Sequence, residues 1–223
     1  MSISNESRGR IKQIFEPIAL GMGRLGLTPD GLTLIGFGIT VVGAVLLAAN
    51  VWLLGGIVVF LGGAFDMFDG TLARATNQVS KLGAFMDSVF DRWGEAIVYL
   101  GIVTGAVLSI PHGGDVAVFG PDLVAILAAA AMGSAFMVSY ARAKSEGLGF
   151  TEGTGMASVG IMPREVRLVV LSLGLVVTGI TGSFVALFIA LAIITIGSIL
   201  TVIQRILHVR SQARAAATTP GNQ

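Results

Sequence analysis

Four carboxylates stand at helical spacings in a chain otherwise built for lipid: Asp66, Asp69, Asp87 and Asp91. Asp66 and Asp69 are three residues apart and Asp87 and Asp91 four apart, so each pair shares one face of a helix. Gly70 and Ala73 extend the first stripe by a turn, and Gly83 precedes the second by a turn. A short hairpin joins the two helices, which predicts antiparallel neighbours whose acidic stripes converge on one cavity. Four clustered carboxylates do not all stay ionised unless something neutralises them. The natural partner is one or two hard divalent cations with oxygen ligands, bound together with substrate phosphates. A pair of such ions stabilises in-line displacement at phosphorus. The small residues Gly70, Ala73 and Gly83 let a bulky ligand approach the helices, and Arg74 supplies a charge-assisted contact to phosphate. Two blander readings stand beside this one. Glycines on membrane helices are commonly packing contacts, and an intramembrane acid also serves as a proton or ion relay, as in an ion-coupled transporter.

The elements that position these acids follow from hydropathy. The chain has 223 residues, 54% of them hydrophobic and only 12% charged, against roughly 25% charged in soluble domains. That balance leaves too little polar surface for a soluble fold and predicts an all-α integral membrane protein. No cysteine is present, which excludes disulfides, thiolate metal sites and a cysteine nucleophile. No cleavable signal peptide is expected, so the first span acts as its own insertion signal. Residues 8–25 carry Ile11, Ile14, Phe15, Ile18 and Met22 at helical intervals behind Arg8, Arg10 and Lys12. This predicts an amphipathic helix in the headgroup plane, within an interfacial segment over residues 1–30. Thr28-Pro29-Asp30 interrupts the pattern.

Six apolar runs then predict six spans within a membrane domain over residues 31–210. The first covers 31–49. The second runs from 51 to 65 and carries the acidic motif on its last turns. The third starts near Lys81 and reaches about Ile110; the others cover 123–140, 168–183 and 185–203. Residues 211–223 read as a disordered tail. The loops near 50, at 111–122 and at 181–183 contain no Lys or Arg, so all fourteen cations fall on the other side. The positive-inside rule therefore places both termini and the acids at the cytoplasmic face of the plasma membrane.

The pattern Asp66-x2-Asp69-Gly70-x2-Ala73-Arg74-x8-Gly83-x3-Asp87-x3-Asp91 resembles the signature of the CDP-alcohol phosphotransferases at every fixed position. These membrane enzymes transfer a phosphatidyl-like group from a CDP-linked donor to an alcohol and release CMP. The resemblance implies that Asp66, Asp69 and Asp87 ligate Mg²⁺ or Mn²⁺, with two ions in the site and Asp91 at or near the second. It also implies that Asp91 is the catalytic base for the acceptor hydroxyl. Gly70, Ala73 and Arg74 would contact the CDP part of the donor together with Asp66 and Asp69, and Thr28, Pro29 and Asp30 would line the nucleotide pocket. A homodimer associating through its membrane helices is the assembly implied.

The acceptor is sought in the second half of the chain. Arg142, Lys144, Arg164, Arg167 and Arg205 fall at predicted cytoplasmic span ends, where they would suit an anionic, phosphorylated acceptor. The same cations also satisfy the positive-inside rule, and composition leaves the two readings level. The segments around them are similar to those of bacterial phosphatidylinositol-phosphate synthases, which join CDP-diacylglycerol to inositol 1-phosphate. Two departures are visible. Arg142 and Lys144 exchange the order of Lys and Arg, and Val166 replaces a Glu beside Glu165. Glycerol 3-phosphate and inositol remain open as acceptors at this level.

Overall fold

The computed structural model describes residues 16–109, 119–150 and 156–218. Every regular element among them is helical. Of the amphipathic helix expected over 8–25, residues 16–24 are helical and form α1. The basic residues Arg8, Arg10 and Lys12 lie outside the described residues. Ala19 of α1 is buried with Leu32 and Leu72, with Met22 and Leu27 packed around them, so α1 docks on the elements that follow.

Helix α2 (Pro29–Ala48) opens with Pro at its first position and Thr28 as N-cap, whose side chain accepts from Gly31 N at 3.1 Å. Helix α3 (Trp52–Phe65) and α4 (Met67–Ala75) are separated by Asp66 alone. The second run is thus broken at the first acid rather than continuous through the motif. Ser80 caps α5 (Lys81–Leu108) through Gly83 N. Helix α6 (Pro121–Gly147) continues past the expected end at Tyr140. Its extra turns contain good helix formers and an Arg142–Glu146 pair at i,i+4. Helix α7 (Arg164–Thr181) starts four residues before the apolar run, because Pro163 sets its N-cap. Gly182 closes it at φ +66°, a conformation that favours glycine. Helix α8 (Val185–Thr218) runs well into the expected tail, since Ala213 and Ala215–Ala217 prolong it before Pro220. Residues 211–218, expected in the tail, continue α8, and residues 219–223 lie outside the described residues.

Among the described residues, four segments are long and apolar enough to cross a membrane: Pro29–Ala48, Trp52–Ala75, Pro121–Gly147 and Val185–Ala215. Helices α5 and α7 differ from these because charges crowd their first turns, Asp87 to Glu95 in one and Arg164 to Arg167 in the other. The long helices close into a ring in which α2 packs on α3, α3 on α7, α7 on α8, α8 on α6, α6 on α5 and α5 on α2. Helix α4 rests against α2 and α3. The core inside the ring includes Leu47, Val59, Tyr99, Ile102, Leu175 and Leu191. Helix α6 contributes Val124, Ala128, Ala131, Ala135 and Val138, a buried stripe at alternating steps of four and three. Opposite it, α8 buries Leu187, Leu191, Ile194, Ser198, Thr201 and Arg205 at the same rhythm, turning polar toward its end. Outward residues such as Ile126, Leu173, Ile196 and Ile206 are exposed and apolar, as lipid contact requires.

Contacts identify the two ends of the ring. At one, Ser109 donates to Asn50 at 2.6 Å and Trp52 meets Phe184 edge-on at 5.4 Å. At the other lie the acids and most of the charge. Among the described glycines, many lie where two helices pack closely. A Cβ on Gly101 or Gly105 would strike the carbonyls of Ala44 or Leu47, and one on Gly56 would strike Leu175. Gly133, by contrast, has nothing within 4 Å of such a Cβ. Gly105→Ala should therefore lower stability by about 1–3 kcal/mol, read as melting temperature in detergent. Gly133→Ala should leave it unchanged or raise it by up to ~1 kcal/mol.

Candidate active site

Asp66 holds the joint between α3 and α4, so its carboxylate sits where the helix is interrupted. Asp69, one turn on, is buried; its Oδ2 accepts from Thr33 Oγ1 at 2.5 Å and its Oδ1 from the Gly70 amide. Asp87 reaches the same place from α5. One oxygen from each of Asp66, Asp69 and Asp87 lies within 4.8 Å of the other two. Three convergent hard oxygen donors fit Mg²⁺ or Mn²⁺ and suit softer thiolate-seeking metals poorly. Asp91, a turn further along α5, stands outside this trio. Its Oδ1 lies 2.8 Å from Arg164 Nη1 and its Oδ2 3.3 Å from Arg92 Nη2. Arg164 Nη1 also donates to Asp66 Oδ2 at 2.7 Å. A single guanidinium from the start of α7 thus joins the α3–α4 joint to α5.

A second charged layer lies one turn deeper. Arg167 grips Glu95 with two bonds, Nε to Oε1 at 2.8 Å and Nη2 to Oε2 at 3.0 Å, and donates Nη1 to Met162 O at 3.0 Å. Glu95 Oε2 also accepts from Arg92 Nη1 at 3.1 Å, and Arg92 reaches Ser139 on α6. A cavity of about 60 Å³ connects the layers, lined by Asp66, Asp91, Glu95, Arg164, Arg167 and Tyr99 among others. That volume admits water, which needs roughly 10–15 Å³ by this measure. Tyr99 Oη is buried against it without a hydrogen-bond partner among the described residues.

The residues that the resemblance assigns to the donor fall in two groups. A Cβ on Gly70 would lie 3.3 Å from the Arg74 guanidinium, so Arg74 folds back over Gly70; half-buried Ala73 precedes it on α4. A Cβ on Gly83 would lie 3.2 Å from Asp30 Oδ1, which puts Thr28-Pro29-Asp30 beside the first turn of α5. The acceptor-side cations divide. Arg164 is at the acids. Arg167 and Arg205 are 2% and 4% exposed and already engaged, Arg205 by Val159 O at 3.0 Å and by Val138 O. Arg142 and Lys144 are exposed at the end of α6, and Arg142 pairs with Glu146 at 2.9 Å.

Thr33, Arg92, Glu95 and Ser139 bond to or beside the acids without belonging to the expected set of site residues. Glu95 was legible, standing four residues beyond Asp91 on the same face; Thr33 gave no signal, since a hydroxyl on an apolar helix commonly bonds its own backbone. Because Arg167 is so deeply buried, Glu95→Ala would strand its charge and should cost about 3–5 kcal/mol. Arg142→Ala, at an exposed pair, should cost under ~1 kcal/mol. Melting in detergent compares the two.

Comparison with known proteins bears on this geometry. Residues 26–209 match the model of the CDP-alcohol phosphatidyltransferase family. The archaetidylinositol phosphate synthase of Pyrococcus horikoshii is 33% identical over 205 residues, covering 92% of this chain and 95% of that protein. The phosphatidylinositol phosphate synthase of Cutibacterium acnes is 34% identical over 206 residues, covering 89% and 93%. The crystal structure of Mycobacterium tuberculosis phosphatidylinositol phosphate synthase with CDP-DAG bound superposes with a TM-score of 0.74 at 27% identity, over 94% of this chain and 96% of that one. The same enzyme in complex with manganese and citrate gives 0.74 over 93% and 90%. With the acidic signature complete, the trio assembled and the match spanning the helical ring, the chain belongs to the CDP-alcohol phosphatidyltransferase family.

Proposed function

We propose that this enzyme transfers a phosphatidyl-type group from a CDP-linked lipid, CDP-diacylglycerol or a similar donor, to inositol 1-phosphate, giving phosphatidylinositol phosphate and CMP. The observation that carries the reaction is the convergence of Asp66, Asp69 and Asp87 beside Asp91. The named activities of the relatives support the acceptor.

In this reading Asp66, Asp69 and Asp87 hold the divalent cations, with Asp91 beside the second. When bound, the ions offset the charge of the phosphates and of the departing CMP. Gly70, Ala73 and Arg74 hold the CDP part, with Thr28, Pro29 and Asp30 on its nucleotide side. Asp91 takes the proton of the acceptor hydroxyl as that oxygen bonds to the lipid-linked β-phosphorus. The bond from this phosphorus to the bridging oxygen breaks, and CMP leaves with that oxygen. Arg142, Lys144 and Arg164 contact the acceptor phosphate, while Arg167 and Arg205, with donors already engaged, fix the pocket wall around it.

The membrane placement extends the same reading. All six ring helices cross the bilayer, α5 with 28 residues and thus roughly 42 Å long, and α7 with outward Leu173, Val177 and Ile180. The cation-free connections face outward from the cell, so the site opens to the cytoplasm where soluble acceptors are found.

Purified protein given CDP-diacylglycerol, Mg²⁺ or Mn²⁺ and separate acceptors should release CMP with inositol 1-phosphate. Release with glycerol 3-phosphate or inositol instead would replace the acceptor; no release with any of them would return the ion-coupled transporter. Asp91→Asn should lower turnover by ~10²-fold or more while CDP-diacylglycerol still binds. Retained turnover would remove Asp91 as the base.

A further inference from the structure

Arg164 differs from the buried cations Arg167 and Arg205 in how it is held. Arg167 is fixed by three bonds to Glu95 and a carbonyl, and Arg205 by two carbonyls. Arg164 makes both its contacts through Nη1, to Asp66 at 2.7 Å and to Asp91 at 2.8 Å. Its side chain is 32% exposed, it opens α7, and it lines the cavity beside the acids. One of its two partners, Asp66, also belongs to the carboxylate trio. A divalent cation drawing on these carboxylates and the Arg164 guanidinium are therefore competitors for the same negative charge, and they repel one another at contact range. If Arg164 leaves, Asp91 keeps Arg92 at 3.3 Å and is not stranded. The displaced guanidinium, tethered at the cavity mouth, has a planar fork of donors suited to a phosphate.

We propose that Arg164 is a displaceable counter-ion that couples the two halves of the site: it holds Asp66 and Asp91 until a divalent cation takes them, and is then free to bind the phosphate of an anionic ligand. This rests on the reading of the acids as a metal site. Coupling of this kind is reciprocal, so the anion, by drawing Arg164 away, must strengthen cation binding by the same factor. The consequence is an order built into the site, in which a phosphorylated acceptor is held well only once the cation is in place.

Mn²⁺ binding to the full chain in detergent, followed by electron paramagnetic resonance without donor or turnover, tests this. Arg164→Gln should bind Mn²⁺ tighter by about tenfold, within the range usual for coupled sites. Arg164→Lys, which keeps the charge, should stay nearer the wild type. Inorganic phosphate should tighten Mn²⁺ binding in the wild type by a larger factor than in Arg164→Gln, which separates the coupling from direct contact between phosphate and Mn²⁺. Unchanged or weaker binding in Arg164→Gln, equal binding in the Gln and Lys variants, or no phosphate effect in the wild type would each overturn the proposal. No Mn²⁺ binding by any of the proteins would overturn the metal site itself, and the coupling with it.

Discussion

Mutual repulsion among carboxylates drawn together at the end of a membrane bundle is the constraint on which the structure depends. Asp66, Asp69 and Asp87 approach within 4.8 Å, and burying charge at such a place is costly unless it is paired. The chain meets that cost with two devices of different strength. Neutral donors fix Asp69: the Thr33 hydroxyl and the Gly70 amide orient it without cancelling its charge. A cation from another helix holds Asp66 and Asp91, and that contact ties α7 to α3, α4 and α5. Two of the four acids, Asp66 and Asp91, are thus held from the second half of the chain, although all four lie in the first.

This dependence extends outward. Arg164 follows the segment 156–163, and α8 holds that segment in place. Thr201 Oγ1 accepts from the amides of Ile161 and Met162 at 3.2 and 3.0 Å, and Arg205 binds Val159 O. Gly160 adopts φ +121° above Thr201, where a Cβ would collide with the threonine side chain. The polar end of the α8 stripe accordingly supports the loop that delivers Arg164. Beneath, Glu95 gathers Arg167 and Arg92 and links α5 to α7, while Arg92 reaches α6 through Ser139. Charge neutralisation and helix packing at this end are one network.

Much of this was legible in the sequence, for specific reasons. The acids were readable because helical spacing fixes their faces and because charge is rare enough in this chain to stand out. The positions of α2, α3, α6 and α8 followed from apolar runs. Helices α6 and α8 continue beyond their apolar runs because polarity ends a hydropathy run, whereas helices end where backbone and capping dictate. Residues such as Ala143 and Ala215 extend the helix regardless of the membrane. The roles of Arg167 and Arg205 were hidden for another reason. Sequence shows a cation at a span end, but whether it faces solvent or a carbonyl such as Val138 O depends on tertiary contacts 67 residues apart. Glycine abundance was equally ambiguous until Gly101 and Gly105 were found against α2 and Gly56 against α7.

We propose that Asp66, Asp69 and Asp87 together hold a divalent cation at the charged end of the helical ring. Anomalous diffraction at the manganese edge, from crystals grown with Mn²⁺, measures this directly. The expected result is an anomalous peak ligated by all three carboxylates and lost in Asp69→Asn. A peak elsewhere, or none between these residues at saturating Mn²⁺, would contradict it.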